Sequence, residues 1–293
     1  MAFAFTHRKN VAAQVCSIAA EQIDKALEEI EQAGELGETI HGLRRRCKKL
    51  RGLISLVAPD LEDADKENSA FRDAAASLSQ ARDAAVMVET FDGLLQFDRK
   101  SDEARINKSD AGDIADALKE RASKSHDGGN DPFEQFRDIF QAARKRVEHW
   151  SFDGHGFDLV GDGLARNYRL FRKRMERAEE HADPEHLHDW RKVAKYHGHH
   201  MVLLRRTAPD LLKGRGSVVD DLGVLLGDHH NLHVLRGTLA ELGFPNAVDD
   251  VIDAQQQEMA SSAFELGRQL AVEKPEALRR RFESYWALLP EKS

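Results

Sequence analysis

The segment from Ile40 to Leu53, IHGLRRRCKKLRGL, concentrates residues that can bind an anion. It holds one histidine and six arginines or lysines, although the whole chain has a formal net charge of -8. Arginine can donate two parallel hydrogen bonds to a phosphate or carboxylate group, and lysine supplies a mobile point charge. Histidine can donate a hydrogen bond and can become charged near neutral pH. The residue types therefore indicate a surface for an anion.

The spacing of these residues predicts an amphipathic helix with one cationic face, because consecutive side chains advance by about 100°. Five basic residues fall within roughly 80° of His41 on such a helix, and Arg46 lies off that face. The five are Arg44, Arg45, Lys48, Lys49 and Arg51. No acidic residue occurs between Glu38 and Asp60. A solvated face usually mixes both signs, since like charges four residues apart destabilise a helix. The missing acids favour a binding surface over a solvated face.

A second segment, from Leu187 onward, repeats this pattern 147 residues after the first histidine. His188 corresponds to His41. The basic residues that align after it are Arg191, Lys192 and Lys195. The counterpart of Arg51 is Gly198, and the nearby His199 is a candidate replacement for the missing arginine.

A further pair of segments matches downstream, at an offset of 148 residues. LSQARDAAVM begins at Leu78 and LGDHHNLHVL begins at Leu226, so that Arg82 aligns with His230. Two matches at nearly the same offset predict an internal duplication. Another basic stripe precedes the second histidine, at i, i+3 and i+7 of one predicted helix: Arg166, Arg169 and Lys173.

Composition predicts an all-α fold, and the duplication predicts two helical bundles, 1–150 and 151–293. The chain is 41% apolar and 32% charged, has seven prolines and is rich in helix-forming residues. No segment shows a convincing strand pattern. Ten helices are predicted, at about 8–33, 38–57, 67–97, 103–123, 132–149, 157–181, 185–206, 216–241, 246–272 and 275–289. Thr39 is the predicted N-cap of the second.

The cysteines, the lack of long apolar runs and the net acidity each argue against one class of protein. Cys16 and Cys47 lie on apolar helix faces, which predicts buried thiols and no disulfide framework. The chain lacks both a signal-peptide core and a run of about 18 apolar residues, so a cytoplasmic protein without a membrane partner is expected. Its acidity argues against broad nucleic-acid binding but leaves room for one local basic site.

The doubled histidine motif resembles that of the CHAD family, the conserved histidine α-helical domain. The resemblance rests on His41 and His188, each followed by basic residues three, four and seven positions on, and on the downstream element that contains Arg82. The segments GLARNYRLFRKR and RRRFESYW extend it over nearly the whole chain. The resemblance implies two pseudo-symmetric helical bundles with a basic groove or channel between them.

Membership of this family would imply binding of inorganic polyphosphate, association with polyphosphate granules, and granule proteins as candidate partners. The predicted polyphosphate-binding residues are the histidines and aligned basic residues of both motifs, together with Arg82, His199 and the basic stripe of Arg166, Arg169 and Lys173. No cofactor, metal or catalytic residue is implied, and the chain is predicted not to be an enzyme. An E-x-E-x-K strand, which marks the triphosphate-tunnel domain fused to some members, is absent from the sequence.

Three alternatives follow from the residues themselves. His229 and His233 have the i, i+4 spacing of zinc ligands, but no HExxH motif accompanies them. A phosphate-transfer or polyphosphate-processing enzyme would need metal-binding carboxylates beside the phosphate site, and the motif helices offer none. Single-stranded RNA would favour aromatic residues among the basic ones, where only Tyr196 and Tyr168 qualify. RNA is therefore not expected to be the main ligand.

Overall fold

The computed structural model describes residues 3–32, 34–101, 104–124 and 131–291, without the side chains of residues 79–83. Within these ranges the chain forms eleven α-helices, one 3-10 turn at Arg205–Thr207, and no strand. The helices are α1 (Val11–Glu31), α2 (Leu36–Val57), α3 (Ala64–Ser77), α4 (Ser79–Asp98), α5 (Lys108–Lys124), α6 (Glu134–Val147), α7 (Asp158–His181), α8 (Pro184–Leu204), α9 (Pro209–Glu241), α10 (Asp249–Leu270) and α11 (Pro275–Trp286). The prediction of an all-α fold is confirmed.

The helices pair in a similar order in the two halves of the chain. In the first half, α1 packs on α2 and α6, α2 on α3, and α4 on α5. In the second half, α7 packs on α8 and α11, α8 on α9, and α9 on α10. The 33 residues of α9 take the place that α3 and α4 together take in the first half. The internal duplication itself stays a prediction.

Two apolar cores hold these helices together. The larger core draws buried residues from both halves, and α2 packs against both α7 and α8. The smaller core lies where α4 and α5 meet α9 and α10, around Phe91, Leu94, Leu235 and Ile252. Both cores therefore join residues from the two sides of position 150. The division into 1–150 and 151–293 stays a prediction about the sequence repeat.

Several predicted helix boundaries are wrong. The predicted helix 67–97 is interrupted at Leu78, where φ is -102° and ψ is 11°. Ser77 Oγ donates a hydrogen bond to the Ala74 carbonyl just before the break, and such bonds weaken a helix. The α2 helix begins before Thr39, so this residue is not its N-cap. The α9 helix begins at Pro209 instead of residue 216, because proline is well suited to a first helical position.

Candidate anion-binding site

The two motif helices, α2 and α8, lie side by side and run in the same direction. Equivalent positions face each other along them, since a Cβ on Gly52 would lie 2.5 Å from the Cβ of His199. One turn further on, Ser55 Oγ lies 2.9 Å from His200 Nε2. Glycine at position 52 is therefore what lets the helices approach closely. The sequence repeat thus places its two basic faces next to each other.

Six side chains from these helices form what we call the cationic cluster. They are Arg44, Lys48 and Lys49 of α2 and Arg191, Lys195 and His199 of α8. Lys195 is half-buried, and its pKa is lowered to about 7. Burial is the largest cause, followed by the positive charges of Arg191, Lys48 and Arg44. Lys195 is thus a desolvated cation among like charges.

His199 and Lys49 extend the cluster toward the N-terminal segment of the chain. The pKa of His199 is lowered to about 4, most strongly by burial and then by the charges of Lys195, Lys49 and Lys48. The Lys49 ammonium lies 5.4 Å from the ring centre of Phe3, close enough for a cation–π interaction. Burial and then Arg46 and Arg45 lower the pKa of Lys49. The His199 side chain is therefore neutral near pH 7.

A pair of histidines borders the cluster on the side of α9. The His188 and His230 rings are 4.1 Å apart between centroids. Burial lowers the pKa of both, that of His230 to about 3, and the charge of Arg191 contributes in each case. The negative charge of Asp228 favours the charged form of Arg191, and burial raises the pKa of the Asp228 carboxyl itself. Two neutral histidines thus lie where the cluster meets α9.

A small cleft, with a volume of about 150 Å³, lies between α2, α3, α7 and α8. Arg51 Nε donates to Asn68 Oδ1 at 2.9 Å, and its Nη2 donates to the Tyr196 hydroxyl at 2.9 Å. Asn68 and Tyr196 both line the cleft, as does Arg166, which is exposed. This region therefore brings the predicted Arg51 and Arg166 together with Tyr196.

Other predicted binding residues lie outside the cluster or have partners elsewhere. Arg169 pairs with Glu276 of α11, and Lys192 pairs with Asp189. Three further predicted residues are exposed on α2 or α7: His41, Arg45 and Lys173. The side chain of Arg82 lies outside the described residues. Their assignment to the site stays a prediction.

Arg46 lies off the cationic face, as its spacing predicted. Its Nε donates to Glu29 Oε1 at 3.1 Å, and its Nη1 donates to Gln22 Oε1 at 2.9 Å. Both acceptors belong to α1, so this arginine joins two helices. Cys47 is buried, Cys16 is half-buried, and neither forms a disulfide, in agreement with the predicted thiols.

The other histidines of α8 have structural contacts. His197 is fully buried, and its Nε2 accepts a hydrogen bond from Arg215 of α9. His200 is also buried and contacts Ser55 and the Gly52 carbonyl. Among the residues that the structure describes, no group of three or more histidine, cysteine or acidic side chains could hold a metal ion. His229 and His233, the pair considered as an alternative zinc site, thus have no third ligand of these types there.

Sequence reasoning did not assign three residues that touch the site. The His230 ring packs against His188, the carboxylate of Asp228 favours the charged form of Arg191, and Asn68 accepts a hydrogen bond from Arg51. The first two follow Leu226 in the downstream repeat element, which was a usable signal for them. No sequence pattern pointed to Asn68, because its role depends on how α3 packs on α2.

The family model of the CHAD domain matches residues 17–240. The chain belongs to the CHAD domain family. No curated protein matches it.

Two solved structures share the fold of this CHAD protein at low sequence identity. The crystal structure of the CHAD domain from the plant Ricinus communis is 16% identical, with a TM-score of 0.52 over 99% of this chain and 94% of the other. PptA from Streptomyces chartreusis is 10% identical, with a TM-score of 0.56 over 94% of this chain and 99% of the other. At these identities the likeness concerns the fold. Among the described residues, no helix is both long and apolar enough to cross a membrane.

Proposed function

We propose that this protein binds inorganic polyphosphate on the cationic cluster and does not chemically alter it. The proposal rests mainly on the surroundings of Lys195. This lysine is half-buried, and its pKa is lowered by that burial and by the positive charges of Arg191, Lys48 and Arg44. Burying cations together is unfavourable unless anions compensate them. A bound polyanion would supply that compensation and would return the Lys195 pKa toward its ordinary value.

A chain of phosphates suits the shape of the surface better than a single phosphate does. The cluster spans two adjacent helices, and the exposed residues Arg45 and Lys192 continue it on either side. A polyphosphate carries a charge on every unit and can contact several of these residues at once. Multiple linked contacts raise the effective concentration of each following contact, so affinity should increase with chain length.

The aromatic residues beside the cluster favour polyphosphate over single-stranded RNA. The Tyr196 hydroxyl accepts from Arg51, whose guanidinium lies 5.9 Å from the tyrosine ring centre. Phe3 packs near Lys49 and His199 and is buried. Base stacking requires an accessible aromatic face, and these two rings are engaged within the protein.

The wider cellular role is part of the same proposal. The CHAD family is linked to polyphosphate, which supports an association with polyphosphate granules and with the proteins found on them. The cluster and the bordering pair His188 and His230 contribute cations and neutral histidines. Phosphoryl transfer would also need a group that positions a nucleophile and carboxylates that hold metal ions. A binding role, without catalysis, therefore fits the cluster best.

The test is calorimetric titration of the purified chain with long-chain polyphosphate, orthophosphate, ATP and single-stranded RNA at one salt concentration. We expect polyphosphate to bind much more tightly than orthophosphate or ATP. The affinity should fall steeply with salt, as it does when bound counterions are released from nucleic acids, and a chelator should have no effect. Equal affinity for orthophosphate and the long chain would contradict the proposal, and tighter binding of RNA would replace it.

A further inference from the structure

Two clefts occupy equivalent places in the two halves of the molecule. The small cleft described above is lined on α2 and α3 by six residues: Ile54, Ser55, Ala58, Ala64, Asp65 and Asn68. The second cleft, between α8 and α9, is lined at the positions 147 or 148 residues later: Met201, Val202, Arg205, Leu212, Lys213 and Gly216. The first cleft has a volume of about 150 Å³, whereas the second has a volume of about 530 Å³.

Two glycines explain why the second cleft is open. In the first half, Arg51 donates to Asn68 across the space between α2 and α3. The corresponding residues of the second half are Gly198 and Gly216, and both line the larger cleft. A Cβ placed on Gly216 would meet no atom within 4 Å. The arginine that bridges the two helices in the first half therefore has no counterpart in the second.

Charged and apolar groups divide the walls of this second cleft, which we call the α8–α9 cleft. Its apolar wall consists of Met201, Val202, Pro209 and Leu212. Its exposed cations are Arg205, Arg206 and Lys213, and none of these three side chains forms a hydrogen bond or ion pair with another described residue. Asp220 is the acid in the lining, so the lining carries a net charge of +2 when this carboxyl is ionised.

We propose that the α8–α9 cleft is a second ligand site, which binds an aliphatic phosphate monoester. A phosphate monoester carries a charge of about -1.5 to -2 at pH 7, which matches the charge of the lining. The two arginines can bind its oxygens through paired hydrogen bonds, while the apolar wall covers the aliphatic chain. Among the residues that the structure describes, no aromatic side chain lines the cleft, so a nucleotide would find no ring there for its base to stack on.

This site is separate from polyphosphate binding, because its ligand needs an apolar part. The cleft lies along α8 beyond Lys195 and faces α9, whereas the cationic cluster faces α2. The proposal therefore does not depend on the proposed function. Either site can fail its test while the other passes.

The decisive variant is Gly216→Leu. Gly216→Leu puts a side chain into the cleft without a clash at Cβ and raises helix propensity. Gly214→Leu is the matched control, since Gly214 belongs to the same helix and does not line the cleft, and a Cβ added to it would also meet no atom within 4 Å. Thermal unfolding of both variants checks that they fold.

The probes are octyl phosphate, octanoate, orthophosphate and octanol, titrated calorimetrically below the concentration at which the alkyl anions form micelles. We expect saturable one-to-one binding of octyl phosphate, weaker binding of octanoate, and little binding of orthophosphate or octanol. Gly216→Leu should weaken octyl phosphate binding at least about tenfold, because it displaces several buried methylenes. Gly214→Leu should bind it as the unaltered chain does.

A variant that removes charge and a titration with polyphosphate complete the test. The double change Arg205→Gln and Arg206→Gln should also weaken octyl phosphate binding, and polyphosphate affinity should be unchanged in Gly216→Leu. No saturable binding of octyl phosphate, or equal binding by the two leucine variants, would overturn the proposal. Octanoate binding as tight as octyl phosphate would overturn the choice of phosphate as the head group.

Discussion

The α2 and α8 helices carry the same motif in two different environments. On α2, the basic residues Arg45 and Lys48 are exposed to solvent. On α8, Arg191 and Lys195 are half-buried, and burial lowers the pKa of each. A hydrated cation keeps its charge over a wide pH range, whereas a desolvated one holds its charge weakly. Lys195 of α8 therefore supplies a charge that depends on pH and on the ligand.

This difference suggests separate contributions to binding. Exposed charges on α2 attract a polyanion over long range and speed its association. Half-buried charges on α8 gain most when the ligand arrives, because the anion replaces repulsion by attraction in a region shielded from water. If this division holds, variants of α8 should change the pH dependence of binding, and variants of α2 should change mainly its strength and rate.

The largest effect is expected from removing one arginine on each helix. Arg44→Glu together with Arg191→Glu should weaken polyphosphate binding by at least about a hundredfold, since charged hydrogen bonds contribute about 1.5–3 kcal/mol each. Each single change should have a smaller effect. Calorimetric titration with long-chain polyphosphate measures this.

Arg280→Glu is a matched control for charge, because Arg280 is exposed on α11, which packs on α7. It should bind almost as the unaltered chain does. The pair of glutamine substitutions at the same two arginines guards against misfolding, since glutamate at position 191 would face Asp228. A folded glutamate double variant with unchanged affinity would remove the cationic cluster from the proposed function.

Replacing Lys195 with methionine should weaken binding less, by about tenfold, in line with one charged contact, and should stabilise the free protein. The folded pKa of Lys195 is about 7, below the value of about 10.4 for an unfolded lysine. The unfolded state thus holds more protons between these values, and the destabilising contribution is fully present below pH 7. Lys195→Met should therefore raise the melting temperature more at pH 6 than at pH 10. A lower melting temperature at pH 6 would mean that Lys195 stabilises the fold.

A smaller effect concerns the pH dependence of binding. A bound polyanion should raise the pKa of Lys195 from about 7, so that binding takes up a proton and affinity falls as pH rises from 7 to about 9. His188 and His230 start from lowered values and should add proton uptake at lower pH. Calorimetry at pH 8 in two buffers of different ionisation enthalpy counts the protons. Lys195→Met should lose most of this uptake, and an unchanged count in that variant would assign the protons to other groups.

Local sequence patterns predicted most of the fold and the position of the cluster. Hydrophobic periodicity located the helices, since an amphipathic face repeats every 3.6 residues. The repeated motif grouped Arg44, Lys48, Arg191 and Lys195, and the structure brings these side chains together. Spacing alone also separated Arg46 from the other basic residues.

Features that depend on packing could not be predicted. The lowered pKa of Lys195 arises from burial between α2 and α8, and single-helix periodicity says nothing about that distance. The break at Leu78 also escaped, because the residues on both sides favour helix. The ion pair of Arg169 with Glu276 joins residues more than 100 positions apart. Such contacts follow from the tertiary arrangement, which the patterns of separate helices do not specify.

The smallest effect on binding is expected at Arg46, which carries the same charge as its neighbours but faces α1. Arg46→Gln should leave polyphosphate affinity almost unchanged and should lower the free energy of unfolding by about 1–3 kcal/mol, the usual cost of leaving a buried polar partner unsatisfied. Its side chain is 13% exposed, and the partner Gln22 is buried, so water cannot easily replace the lost hydrogen bonds. Urea denaturation and titration of the same sample measure both quantities. Arg45→Gln, one position away and exposed, is the control and should show the reverse, with unchanged stability and weaker binding. If both variants weaken binding equally, only the net charge of α2 matters, and the direction in which each side chain points does not.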